Sequence, residues 1–184
     1  KKMAFSGAVL EPMSVKTLAA GKEKTAECPF SIEGERIVTP FAEVTLKDGT
    51  ITSYITPDGF EAVRDGASPF NTLYCGEDIP AVWDNWDIDY DQSVKMKPVT
   101  ETVSSEIVSA GALQLRIRVK KRFGAGSLLT QDIVFYSDTP RIDFETTVDW
   151  NEKHTLLKAG FDVNVLSDTA RFETQFGNLK RPTH

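Results

Sequence analysis

Residues 83–87 carry two Trp-Asp pairs three positions apart, Trp83-Asp84 and Trp86-Asp87, within the stretch NTLYCGEDIPAVWDNWDIDYD at 71–91. Asp78, Asp89 and Asp91 lie close by. Indole faces beside carboxylates suit a sugar: the C–H face of a pyranose stacks on an aromatic ring while ionised carboxylates accept hydrogen bonds from its hydroxyls. The same residues also read as architecture. Trp is a common anchor between strands or domains, and alternating Asp residues mark the wet face of a strand.

Other constellations fail their geometric demands. Asp87, Asp89 and Asp91 open like a calcium loop, but its sixth and twelfth positions hold Gln92 and Pro98 where Gly and Glu are required. His154 and His184 stand in no H-x-x-x-H spacing, so a zinc site would need distant ligands, and both are expected in loops or at the surface. Ser127 lacks the G-x-S-x-G of a nucleophile elbow and is expected in a turn. Asp87 and Asp89, read as strand neighbours, would share one face and could not flank a glycosidic bond. No catalytic residue and no metal ligand is assigned to this chain.

The elements that must position the Trp-Asp cluster are strands. Ala42, Val44 and Leu46 alternate with polar residues up to Asp48-Gly49, and Ile51, Ser53 and Ile55 resume the alternation, a hairpin signal because Asp-Gly supplies the positive φ angles of a type I′ turn. Residues 113–120 alternate strictly, and the glycines of GAG at 124–126 turn the chain into a second strand at 128–136. Ile142, Phe144, Thr146, Val148 and Trp150 share a face. Phe161, Val163 and Val165 repeat the pattern, and residues 170–176 form a last strand with Phe172 and Phe176 facing inward. No window sustains a capped 3.6-residue apolar period. The expected fold class is all-β, an antiparallel β-sandwich with very little helix.

The 184 residues are ordinary for one domain and would bury roughly 70% of their unfolded surface. We expect a single domain over 1–184, with a weakly patterned lead at 1–33 and the core sandwich at 34–184. The opening residues and the stop just past a strand suggest an excised piece, truncated at the C-terminus of the sandwich. A net charge of −6 and a pI near 5.0 argue against a nucleic-acid partner. The basic stripe Arg116, Arg118, Lys120, alternating with Leu115, Ile117 and Val119, reads as the solvated face of a strand. No apolar run of about 20 residues offers a membrane span. Cys28 and Cys75 form no C-x-x-C pair, so two free thiols in a reducing, cytoplasmic setting are expected.

GEDIPAVWDNWDIDYD at 76–91 resembles the D-x-P-x-x-W-D-x-W-D segment of family 38 glycoside hydrolases, the retaining α-mannosidases, especially the cytosolic or vacuolar type and its bacterial relatives. Further similarity follows in order: Gln131, PRIDFET at 140–146, VDWNE at 148–152, HTLLK at 154–158, TQFG at 174–177 and RPTH at 181–184. Asn85 and Asn151 stand where such proteins often carry Ala and His. The resemblance implies a galactose-mutarotase-like β-sandwich that follows a catalytic barrel absent from this chain. It implies no cofactor here, and a divalent metal, zinc or cobalt, in the missing domain. The implied partners are that catalytic domain of the same polypeptide and an α-mannoside oligosaccharide, with no nucleic acid or membrane. The expected role is a non-catalytic scaffold, with Trp83, Asp84, Trp86, Asp87, Arg181 and His184 as the residues for one wall of a sugar pocket. An independent carbohydrate-binding module using Trp83 and Trp86 is the alternative.

Overall fold

The computed structural model describes residues 6, 8–18, 26–83 and 86–183. Its first strands are β1 (Ser31–Glu33), β2 (Arg36–Val38), β3 (Glu43–Lys47), β4 (Thr50–Ile55) and β5 (Thr72–Glu77). A short helix α1 (Gln92–Lys95) and β6 (Lys97–Pro98) precede β7 (Thr102–Ala110), β8 (Gln114–Phe123), β9 (Ser127–Tyr136) and β10 (Ile142–Asp149). The chain continues through β11 (Thr155–Gly160), β12 (Thr169–Thr174) and β13 (Gly177–Pro182). Every pairing is antiparallel, and α1 is the one helix among the described residues, so the all-β expectation is met.

One long sheet, in the order β10-β9-β8-β7, carries two shorter ones on its inner face. Ile37, Val44, Leu46 and Ile51 of the sheet β1-β2-β3-β4 pack against Leu115, Ile117, Val119, Ile133 and Phe135. Further along the same strands, Phe123 and Leu129 meet Leu73 and Val99, which belong to the sheet β11-β5-β6 and its border. Alternation dictates this division. Residues 115, 117, 119, 121 and 123 all point inward, so ten-residue strands outrun a single short cover sheet and need two. Each large aliphatic side chain taken wholly out of water contributes about 2 kcal/mol toward holding the layers together.

The seam between the two cover sheets is polar. Asn71, 1% exposed and at φ 61°, sits where the chain leaves the first sheet for β5. Its carboxamide donates to Gly49 O at 2.8 Å and to Gln131 Oε1 at 2.6 Å, while Gln131 donates onward to Thr146 Oγ1 at 2.8 Å. Lys121 is buried in the same row with its ammonium 3.5 Å from Val99 O, and burial pushes its pKa down. Buried polar groups are tolerated when they satisfy one another, and Asn71, Gln131 and Thr146 do so where two sheets meet without a shared strand.

The Asp-Gly hairpin forms as expected, with φ 49° at Asp48 and 78° at Gly49. Its second strand departs from expectation. Thr45 pairs with Ser53 but Leu46 pairs with Ile51, so Thr52 is bulged out and the side-chain alternation reverses. Ile51 and Tyr54 therefore face the core and Ile55 is exposed, correcting the reading that put Ile51, Ser53 and Ile55 on one face. The strand expected at Phe161, Val163 and Val165 lies earlier, at β11, because the register with β5 takes Thr155–Gly160; Val163 keeps a single bridge to Val63. The last expected strand is a hairpin. Phe176 sits at its tip with φ 59°, and Phe172 and Phe176 are exposed, not inward-facing. Ser127 opens β9 in full burial, where it had been expected in a turn. The first strand begins at Ser31.

Candidate functional site

β5 leaves its sheet at Glu77, and residues 78–83 and 86–91 lie outside any strand before α1. This overturns the reading of its alternating Asp residues as the wet face of a strand. Pro80 cannot donate to a ladder, and Trp83 adopts φ 58°, which an L side chain takes up in turns. Trp83 O accepts from the N–H groups of Trp86 and Asp87 at 2.9 and 3.0 Å, folding the tip. Asp89 Oδ2 accepts from Ala81 N at 3.0 Å, and Asp87 Oδ1 from Ile88 N at 2.9 Å. These carboxylates organise their own loop. The indoles are presented outward: Trp83 is 73% and Trp86 89% exposed, with Tyr90 fully exposed beside them in sequence.

Asp84, Asn85 and His184 lie outside the described residues. Arg181 sits on β13 opposite Ala170, exposed, in a two-stranded sheet separate from the one that carries the tryptophans. Among the described residues no hydrogen bond joins it to the loop. His154 is exposed at φ 46°, in the bend before β11, and its carbonyl accepts from Asp78 N at 2.7 Å.

The loop returns to the body at Gln92, 3% exposed. Its Nε2 donates to Glu77 O at 3.3 Å and Met96 Sδ at 3.0 Å, and its Oε1 accepts from Lys158 Nζ on β11 at 3.1 Å. Lys95 adds ion pairs to Asp91 at 3.1 Å and Glu77 at 3.4 Å. Gly76 is required here. A Cβ on it would come within 2.7 Å of Lys95 O, so the close approach of α1 to β5 needs glycine.

The described carboxylates with displaced pKa values are held by hydrogen bonds. Glycoside hydrolysis needs one carboxyl kept protonated near neutral pH. Every carboxylate with a displaced pKa in the described chain is displaced downward. Asp132 is held low by hydrogen bonds from Arg118 and then Arg116, and Glu145 by Arg116. Asp143 is lowered by Tyr136 and Arg141, and Glu152 by the N–H of Ala125 and the Ser127 hydroxyl. Glu61 is pushed up by burial, yet Ser53, Tyr54 N and Val63 N outweigh that and leave it low. Among the described residues no three His, Cys, Asp or Glu side chains are grouped to hold a metal ion.

Asn71 and Gln92 carry no sequence signal, since a lone carboxamide has no spacing to betray it. The motif residues beyond the loop have structural employment. Gln131 and Thr146 satisfy the buried seam, Asp143 and Glu145 anchor Tyr136, Arg141 and Arg116, and Glu152 ties down the β8–β9 turn through Ala125 N and Ser127 Oγ.

Residues 37–184 match the family model described as the glycosyl hydrolases family 38 C-terminal domain. The chain is 33% identical over 138 residues to the human protein named Alpha-mannosidase 2C1, covering 74% of this chain and 13% of that protein. It is 34% identical over 128 residues to Alpha-mannosidase G of Dictyostelium discoideum, covering 67% and 12% respectively. Alpha-mannosidase of Saccharomyces cerevisiae is 31% identical over 126 residues, 65% of this chain and 11% of that protein. An all-β sandwich whose sequence runs parallel to these proteins is thus, by class, part of a glycoside hydrolase. The chain belongs to glycosyl hydrolase family 38, within its C-terminal domain. It spans about an eighth of the length of the relatives it matches.

Proposed function

We propose that this chain is the non-catalytic β-sandwich of a retaining α-mannosidase that hydrolyses terminal α-mannosides. Its 78–91 loop closes one side of a sugar pocket whose reacting groups, with their divalent zinc or cobalt, reside elsewhere on the same polypeptide. Trp83, Asp84, Trp86 and Asp87 form that wall, with Arg181 and His184 as its outer members. The observation that carries this reading is the exposure of both indoles on a loop anchored at its base, which offers stacking surface at little ordering cost. Free Cys28 and Cys75 support a reducing, cytoplasmic setting, and no helix among the described residues is long and apolar enough to cross a membrane.

A second reading, a seam where the loop docks on another domain, is favoured by the apolar neighbours Ile79, Val82 and Ile88, all more than half exposed. Trp86→Ala in the longer polypeptide separates the two. The pocket wall expects a loss of about tenfold or more in kcat/KM on an aryl α-mannoside at nearly constant Tm. A fall in Tm with unchanged kcat/KM returns the loop to a packing role. Saturable mannoside quenching of indole fluorescence in the isolated chain would instead identify a self-sufficient binding module.

A further inference from the structure

The loop that bears Trp83 and Trp86 touches the sandwich through a small, fully specified base. The chain leaves β5 at Glu77 and returns at Gln92, and its outgoing and returning ends are tied to the bend before β11 and to β11 itself. On the outgoing side, Asp78 N donates to His154 O at 2.7 Å. On the returning side, the buried Gln92 carboxamide spends every hydrogen-bonding group it has: both amide hydrogens go to Glu77 O and Met96 Sδ, and the oxygen takes the Lys158 ammonium. Gly76 lets α1 lie directly on β5 beneath this junction.

We propose that Gln92 and Lys158 are positioning residues, a latch across β11 and α1 that fixes the posture of the tryptophan loop. The chemistry of the pair is particular. A carboxamide presents a donor and an acceptor at once, so one side chain joins the Glu77 carbonyl to the Lys158 cation; a carboxylate would repel that carbonyl, and an apolar isostere would strand both partners. Lys158 supplies the charge that strengthens the contact. Lys95, paired with Asp91 and Glu77, adds a second tie between α1, the returning chain and β5. The loop interior is stitched by Ala81 N to Asp89 and by the Trp83 carbonyl, so fixing the base fixes the orientation of the tip. The consequence for turnover rests on the proposed pocket wall, while the latch itself does not.

The experiment compares Lys158→Met, Lys158→Arg and Gln92→Leu by hydrogen-exchange mass spectrometry on the 184-residue chain. The latch expects peptides covering 78–92 to exchange about tenfold or more faster in Lys158→Met and Gln92→Leu, with β8 and β9 peptides unchanged and partial restoration in Lys158→Arg. Unchanged exchange at 78–92, an equal rise in β8 and β9, or identical behaviour of Met and Arg at 158 would overturn it. The same Lys158→Met change in the longer polypeptide then reads turnover, where a raised KM for an aryl α-mannoside at constant kcat and Tm is expected. Faster exchange at 78–92 with an unmoved KM would uphold the latch and count against the pocket wall instead.

Discussion

Asp132 shows how a single side chain organises the outer face of the long sheet. Its two oxygens take Arg118 Nε and Nη2 at 2.7 and 2.9 Å and Arg116 Nη1 at 3.0 Å, and Arg116 reaches on to Glu145. Arg116 and Arg118 of the basic stripe are therefore joined in an ion-pair ladder on that face, invisible to a one-strand reading because the acids come from β9 and β10. The folded chain holds Asp132 ionised to lower pH than the unfolded chain does. Its contribution is complete above the ordinary carboxylate range, near pH 4, and is lost as pH falls through the depressed folded value. Asp132→Asn should cost about 2 kcal/mol at neutral pH, because two guanidinium groups lose a charged acceptor. Urea titrations at pH 7 and pH 3 check this: the difference between the two proteins should shrink at the lower pH.

At the scale of elements, what was legible followed from local chemistry. Asp48-Gly49 dictates a tight turn, and strict alternation dictates β8 and β9 and the inward row from Leu115 to Phe123. What stayed hidden depends on partners distant in sequence. The bulge at Thr52 adds an ordinary β-forming residue that reverses a face without leaving a sequence mark, and β11 takes LLKA over the better-looking FDVNV because β5 selects the register. The tryptophan loop imitates a strand through alternating Asp, and the positive φ at Trp83 comes from the fold of the tip. Gly49 couples turn and core: its φ is 78°, and a Cβ there would lie 3.0 Å from Val119 Cγ1. Gly49→Ala should cost about 1–2 kcal/mol, with an unchanged denaturant m-value in equilibrium unfolding.

Across the whole molecule, stability is uneven. The core between the long sheet and its two covers holds the aliphatic burial, whereas no residue of the β12–β13 hairpin is buried and Phe172, Phe176 and Leu179 face outward. A two-stranded ribbon without a packed face adds little to a domain's stability. A chain ending at residue 166 should therefore melt within about 2 °C of the 184-residue chain by calorimetry, the shift that a fraction of a kcal/mol gives at this size. The order of the strands has a bearing on time as well. From β7 to β10 each strand pairs with the next, so this meander closes through short connections and assembles early, whereas β11 must span the entire meander to find β5. The aromatic loop, rooted on β5 and fastened from β11, should consequently be among the last parts of the chain to gain a fixed shape, with peptides covering 78–92 protected late in pulse-labelling hydrogen exchange during refolding.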